Sequence, residues 1–189
     1  IGVTPETDYL VVNGFHNYSF SAIFMDANLD FSGVYSGAAF DGSLNAILPL
    51  GANKFAISRY SFSDMYVNPN ATLSPTAIDI AEAITAEWKS ELDADSPILI
   101  KNITINSTDY TAYLATTKSN QLVLDFYVKG TDEIAGSKYL GESVPLKAAD
   151  LSMTEDGGLL ILTQVTVMSS FNRVATIKLS KGELELLVE

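Results

Sequence analysis

Oxygen-bearing side chains alternate in Asp26-Ala27-Asn28-Leu29-Asp30. Oxygens at positions 1, 3 and 5 of a loop are what a hard Ca2+ ion requires, so Asp26, Asn28 and Asp30 are the candidate metal ligands. Two positions depart from the EF-hand pattern: Phe31 stands in place of its glycine, and Gly37 in place of its bidentate glutamate. The competing reading is a turn after a strand, in which Asp and Asn bond their own backbone and no cofactor is needed. A second group is aromatic. Tyr60, Phe62 and Tyr66 are all even-numbered, so in one extended strand their rings share a face. They are the candidate ligand-binding residues, platforms for a glycan, and a sheet core is the other use for the same rings. Trp88 is a further aromatic of this kind, although its spacing assigns it to the packed stripe of a helix.

Other chemistries find less support. His16 is the sole histidine and cysteine is absent, which removes disulfides, thiol catalysis and thiolate metal sites, and leaves too few ligands for a zinc enzyme. No serine lies in a G-x-S-x-G elbow, and His16 beside Asn17 reads as a turn residue. A pair of carboxylates could run glycoside hydrolysis, yet 23 acidic residues give no way to choose the pair. Four N-x-S/T sites, at Asn17, Asn70, Asn102 and Asn106, exceed the roughly two that chance gives in this chain by too little to argue for glycosylation. Gly157-Gly158 lacks the following Lys-Ser/Thr and helix of a phosphate loop. The formal charge of −12 argues against nucleic acid and anionic membranes as partners. Apolar runs such as Leu159-Leu160-Ile161-Leu162 are strand-length, so no membrane insertion is expected. The chain opens on Ile1 with no basic segment and apolar run behind it, which gives the expectation of a mature or trimmed form.

The elements that position these residues read mainly as strands. Residues 8–13 and 18–26 form a hairpin about Asn13–Asn17, with Phe20, Ala22 and Phe24 on one alternating face. Extended pieces follow near Phe31–Tyr35, Ser43–Leu48 and Lys54–Tyr60. Over 76–92 the period lengthens: Ile80, Ile84, Trp88 and Leu92 recur every four residues among acids, which predicts one α-helix capped by Ser74 or Thr76. After Pro97 the chain reads as strands to its end, the last of them Leu184–Val188, with turn signals every 8–12 residues.

One unit recurs: Ala46 to Ile57, Tyr113 to Leu124, and Asp150 to Ile161, each an apolar strand, a polar turn and an apolar strand. The turns hold Gly51-Ala52-Asn53, Lys118-Ser119-Asn120 and Glu155-Asp156-Gly157-Gly158, residues that tolerate positive φ. Tyr9-Leu10-Val11-Val12 is a partial fourth copy. Thr154-Glu155-Asp156-Gly157-Gly158-Leu159-Leu160-Ile161, with the strand ends Ile23 to Asn28 and Thr176 to Ser180, resembles the blade repeats of secreted and envelope β-propeller proteins and lipoproteins of Bacteroidota-type bacteria. The first two copies lack the DGG centre, and the helix is foreign to the pattern.

The expected fold is all-β over residues 1–189 as one domain: a propeller-like array of antiparallel units, about four blades or part of a larger propeller, with a helix inserted near 76–92. A β-sandwich is the alternative. The resemblance implies an extracytoplasmic place, at the cell surface or in the periplasm, with lipid anchoring through a preceding segment as one option. It brings no catalytic residues. The expected function is a non-enzymatic scaffold or binding module for a protein or glycan, and the alternative is a carboxylate-based hydrolase with its site in a propeller mouth.

Overall fold

Within each of its sheets, every strand of this chain pairs antiparallel with its neighbour in sequence. The computed structural model describes residues 2–3, 10–16, 18–37, 42–51, 53–73, 86–141, 144–167 and 171–189. These form two compact units, residues 1–90 and 91–189.

In the first unit one sheet runs in the order β1 (Gly2–Val3), β2 (Leu10–His16), β3 (Ser19–Met25) and β4 (Phe31–Ser36). A second holds β5 (Ser43–Gly51), β6 (Lys54–Ser61), β7 (Asp64–Thr72) and β8 (Glu87–Lys89). The alternation of β3 sets its orientation: Phe20, Ala22 and Phe24 are completely buried on one face. They join Val11, Tyr35, Leu44, Phe55, Ile57, Ala71 and Leu73 in one apolar cluster, with Phe24 edge-on to Phe55 at 6.2 Å. A fully buried Phe or Ile contributes about 1.5–3 kcal/mol by leaving water, so this cluster holds the two sheets together.

In the second unit β9 (Leu99–Ile105), β10 (Thr108–Thr116), β11 (Leu122–Val128) and β12 (Ile134–Leu140) form a third sheet. The fourth has three strands, β13 (Leu146–Met153), β14 (Leu159–Val167) and β15 (Phe171–Leu179), followed by α1 (Lys181–Leu187). β13 packs against β9 and β10, and Ala112, Leu114, Leu122, Leu124, Phe126, Leu151, Leu159, Ile161 and Leu179 fill the space with Leu184 of α1. On the other face of β10 and β11, Thr111, Tyr113, Ala115 and Tyr127 are buried as well. None of the four sheets closes on itself. No helix among the described residues is long and apolar enough to cross a membrane.

The three repeat copies are the hairpins β5–β6, β10–β11 and β13–β14, in three different sheets. Their turn residues Asn53, Asn120 and Gly157 do adopt positive φ, at 63°, 61° and 79°. The last two hairpins share one loop. In each, the first residue's N–H meets the fifth residue's carbonyl (Thr117 to Gln121, Thr154 to Gly158, both 2.8 Å), and the fourth residue is left-handed.

Two expectations about helices fail. Residues 74–85 of the expected helix lie outside the described residues, but Glu87–Lys89 is a strand, with Trp88 opposite Tyr66 and 58% exposed. A four-residue spacing cannot distinguish a helix stripe from one face of a strand, because i and i+4 align in both. The reverse error occurs at the C-terminus, where Leu184–Val188 is predicted as a strand and Lys181–Leu187 is helical. Ser180 caps that helix: its Oγ accepts from the Glu183 N–H, and the Glu183 carboxylate accepts from the Ser180 N–H at 2.8 Å. Leu184 is buried, and the last turn of α1 approaches β12 so closely that a Cβ on Gly136 would stand 1.9 Å from the Leu187 carbonyl oxygen.

Carboxylates pin the turns and edges of this second unit. Lys101 bridges β9 to β13 by donating to Asp150 Oδ1 and the Leu151 carbonyl, both at 2.6 Å. Asp156 accepts from Lys178, Thr154 and the Gly158 N–H, and Asp109 accepts from Thr104 at 2.7 Å. Hydrogen bonds from Lys178, Lys101 and Thr104 hold Asp156, Asp150 and Asp109 respectively below the ordinary carboxyl value of 3.8. The folded state therefore binds these protons less readily than the unfolded chain. Their stabilisation is complete above the ordinary value and is lost as pH falls through 3.8 and below.

The melting temperature is accordingly expected to hold steady from pH 7 to about 5 and to fall as the medium is acidified past the carboxyl range. Lys101→Met should flatten that acid limb, as followed by circular dichroism melts. A glycine pair tests the α1 contact. Gly136→Ala should cost about 1–3 kcal/mol in denaturant unfolding by pushing α1 off β12. Gly182→Ala, where an added Cβ meets nothing within 4 Å, should gain up to about 1 kcal/mol from helix propensity.

Candidate functional site

Two hairpin tips of the first unit carry aromatic residues where the backbone favours glycine. β2 and β3 are joined by the two residues Asn17-Tyr18, since His16 pairs with Ser19, and Tyr18 has φ 62°. β6 and β7 are joined by Phe62-Ser63, since Ser61 pairs with Asp64, and Phe62 has φ 56°. Two-residue hairpin turns demand such left-handed positions, and Gly, Asn or Asp fill them at least cost. A bulky aromatic there is an outlier.

Gly42 brings the tips together. Its N–H donates to the Tyr18 carbonyl at 3.0 Å, it bridges Ser19 in parallel, and it begins the approach to β5, whose Ser43 pairs with Tyr60. At φ 80° a Cβ on this residue would fall 1.9 Å from the Tyr60 carbonyl oxygen, so only glycine allows the contact. Asn13 adds a second tie by donating from Nδ2 to the Leu44 carbonyl at 3.2 Å. Phe15 lies opposite Phe20, one step beyond the end of the core, and emerges into solvent.

Phe15, Tyr18, Gly42, Ser43, Tyr60, Ser61 and Phe62 thereby line a pocket of about 220 Å³. Its rings are open to water: Phe62 is 81% exposed, Tyr18 66%, Phe15 58% and Tyr60 40%. The described lining carries no charged side chain and is mostly apolar, with Ser43 and Ser61 the hydroxyl-bearing residues beside the rings and Gly42.

The aromatic residues singled out from the sequence divide between two places. Tyr60 and Phe62 are in this pocket, whereas Tyr66 is not. They do not share one face of a strand, because the chain reverses at Phe62. Tyr66 pairs with Arg59, one position away from Tyr60, so the two tyrosines point to opposite sides of the sheet. The Arg59 guanidinium lies 4.4 Å from the Tyr66 ring centroid, and Trp88 pairs with Tyr66 from β8. Phe15, Tyr18, Gly42, Ser43 and Ser61 were not legible as site residues. The signal was the single residue by which the β2–β3 turn falls later than the Asn13–Asn17 segment suggests, which moves Tyr18 from a strand to a tip.

Asp26, Asn28 and Asp30 form the β3–β4 loop, which has the same geometry as the repeat hairpins. The Asp26 N–H donates to the Asp30 carbonyl at 2.9 Å, the Leu29 N–H to the Asp26 carbonyl at 3.0 Å, and Leu29 takes φ 68°. Asp26 Oδ1 accepts from the N–H groups of Asn28 and Asp30 at 2.8 and 2.9 Å. Among the described residues no group of three or more His, Asp or Glu side chains is arranged to hold a metal ion. His16 ends β2 opposite Ser19.

Because Asp26 is engaged by its own backbone, EDTA is expected to leave the melting temperature unchanged. A rise of several degrees on adding Ca2+, lost in Asp26→Ala with Asp30→Ala, would show the loop to be a metal site.

No protein-family model matches this chain and no curated protein matches it.

Proposed function

We propose that the chain is a non-enzymatic, extracytoplasmic binding module whose ligand occupies the aromatic pocket at the β2–β3 and β6–β7 tips. The observation that carries this reading is the pair Tyr18 and Phe62. Each holds a left-handed conformation that costs a non-glycine residue about 1–2 kcal/mol, and each is mostly exposed, so burial does not offset that cost. Strain of this kind collects where side chains are held for contact with something else.

The scaffold we propose is propeller-like. Four sheets of three or four strands follow one another in chain order, each an up-and-down antiparallel meander, which is the strand pattern of blades. The likeness of the Thr154–Ile161 turn to envelope-protein repeats supports the extracytoplasmic placement. A sandwich is favoured by the packing of one sheet on another, β3 on β6 through Phe24 and Phe55 in the first unit and β13 on β9 and β10 in the second.

The test is a thermal-shift screen of neutral and anionic oligosaccharides, quaternary ammonium salts and proline-rich peptides against the wild type, Tyr18→Ala and Phe62→Ala. At least one compound should raise the melting temperature of the wild type and of neither variant. A screen in which no shift depends on those two residues, or in which the wild type cleaves a saccharide, would overturn the reading.

A further inference from the structure

We infer that the pocket takes an uncharged saccharide, one pyranose ring of a neutral glycan laid against the aromatic tips; this rests on the binding-module reading above. A pyranose presents a C–H face and a rim of hydroxyls. The lining offers the surface for that face in the rings of Phe15, Tyr18, Tyr60 and Phe62, and the rim of hydroxyls stays toward water.

Charge decides against the other occupants of an aromatic site. An anionic sugar would have to lose water beside a described lining without Lys or Arg, on a chain of formal charge −12. A quaternary ammonium ion would be drawn by that charge. However, rings as exposed as Phe62 and Tyr18 give a cation only about 0.5–1 kcal/mol each, since the attraction grows large only where water is excluded. A proline-rich peptide needs an aromatic-lined groove along several residues of its helix. The pocket, at about 220 Å³, has room for one ring.

Affinity electrophoresis of the whole chain tests the inference, with soluble glucan, mannan or galactan in the gel and polygalacturonate in a parallel gel. At least one neutral polysaccharide should retard the wild type. Phe62→Ala should weaken the interaction about tenfold or more, the loss of one contact worth about 1.4 kcal/mol. Trp88→Ala, which removes an exposed ring outside the pocket, should leave it unchanged. Equal retardation by polygalacturonate, or equal loss in Trp88→Ala, would overturn the inference. If tetramethylammonium or a proline-rich peptide binds in a Phe62-dependent way and no neutral polysaccharide does, the saccharide assignment falls and the module stands. If nothing binds, both fall.

Discussion

Tight reversal of the chain is the constraint on which most of this structure depends. Every sheet is a meander of sequence neighbours, so where two strands are joined by a tight turn, that turn sets their register. Such turns need at least one residue at positive φ. Where the chain supplies Asn53, Asn106, Asn120 or Gly157, the demand is met cheaply, because these residues tolerate the left-handed region. Where it supplies Tyr18, Leu29 or Phe62, the fold holds the residue against its preference. The core provides the means: Phe20, Phe24, Phe55 and Ile57 are fully buried in the strands that carry these tips.

That division separates stability from function along each hairpin. The strand bodies of the first unit are apolar on the shared face and carry the packing energy. The ends, beyond Phe20 and Tyr60, contribute little burial and are free to carry a binding surface. Gly42 links the two roles, because the same close approach to Tyr60 that ties β5 to the β3 tip also closes one wall of the pocket. In the second unit the β13–β14 tip follows the other course. Thr154, Asp156 and Gly158 form a turn satisfied by its own side chains and by Lys178, with no aromatic residue displayed.

The β class, the β3 core face and the three repeat hairpins were legible because they rest on local signals: period-two alternation and turn residues whose chemistry fixes φ. The helix around Trp88 was misread because a spacing of four fits both periods, and only pairing with β7 distinguishes them. The helix at Lys181–Leu187 carried a readable capping box in Ser180-Lys181-Gly182-Glu183, yet the apolar run after it imitates a strand. Half of the pocket was beyond the sequence for another reason. Tyr60 and Phe62 were legible as aromatic candidates, but Phe15, Tyr18 and Gly42 join them only through the contact between two sheets, which no local pattern encodes. Tyr66 was lost because the strand it was assigned to is two strands, reversing at a Phe that turn preferences would not select.

The central claim is that Tyr18 and Phe62 occupy their turns at the fold's expense. Denaturant unfolding of Tyr18→Gly and Phe62→Gly measures this most directly, since glycine relieves the left-handed backbone and removes a mostly exposed ring. Midpoints at or above that of the wild type are expected, with a gain of up to about 1 kcal/mol for each variant and an unchanged m-value. A loss of more than about 1 kcal/mol in either would mean that these rings serve the fold rather than strain it.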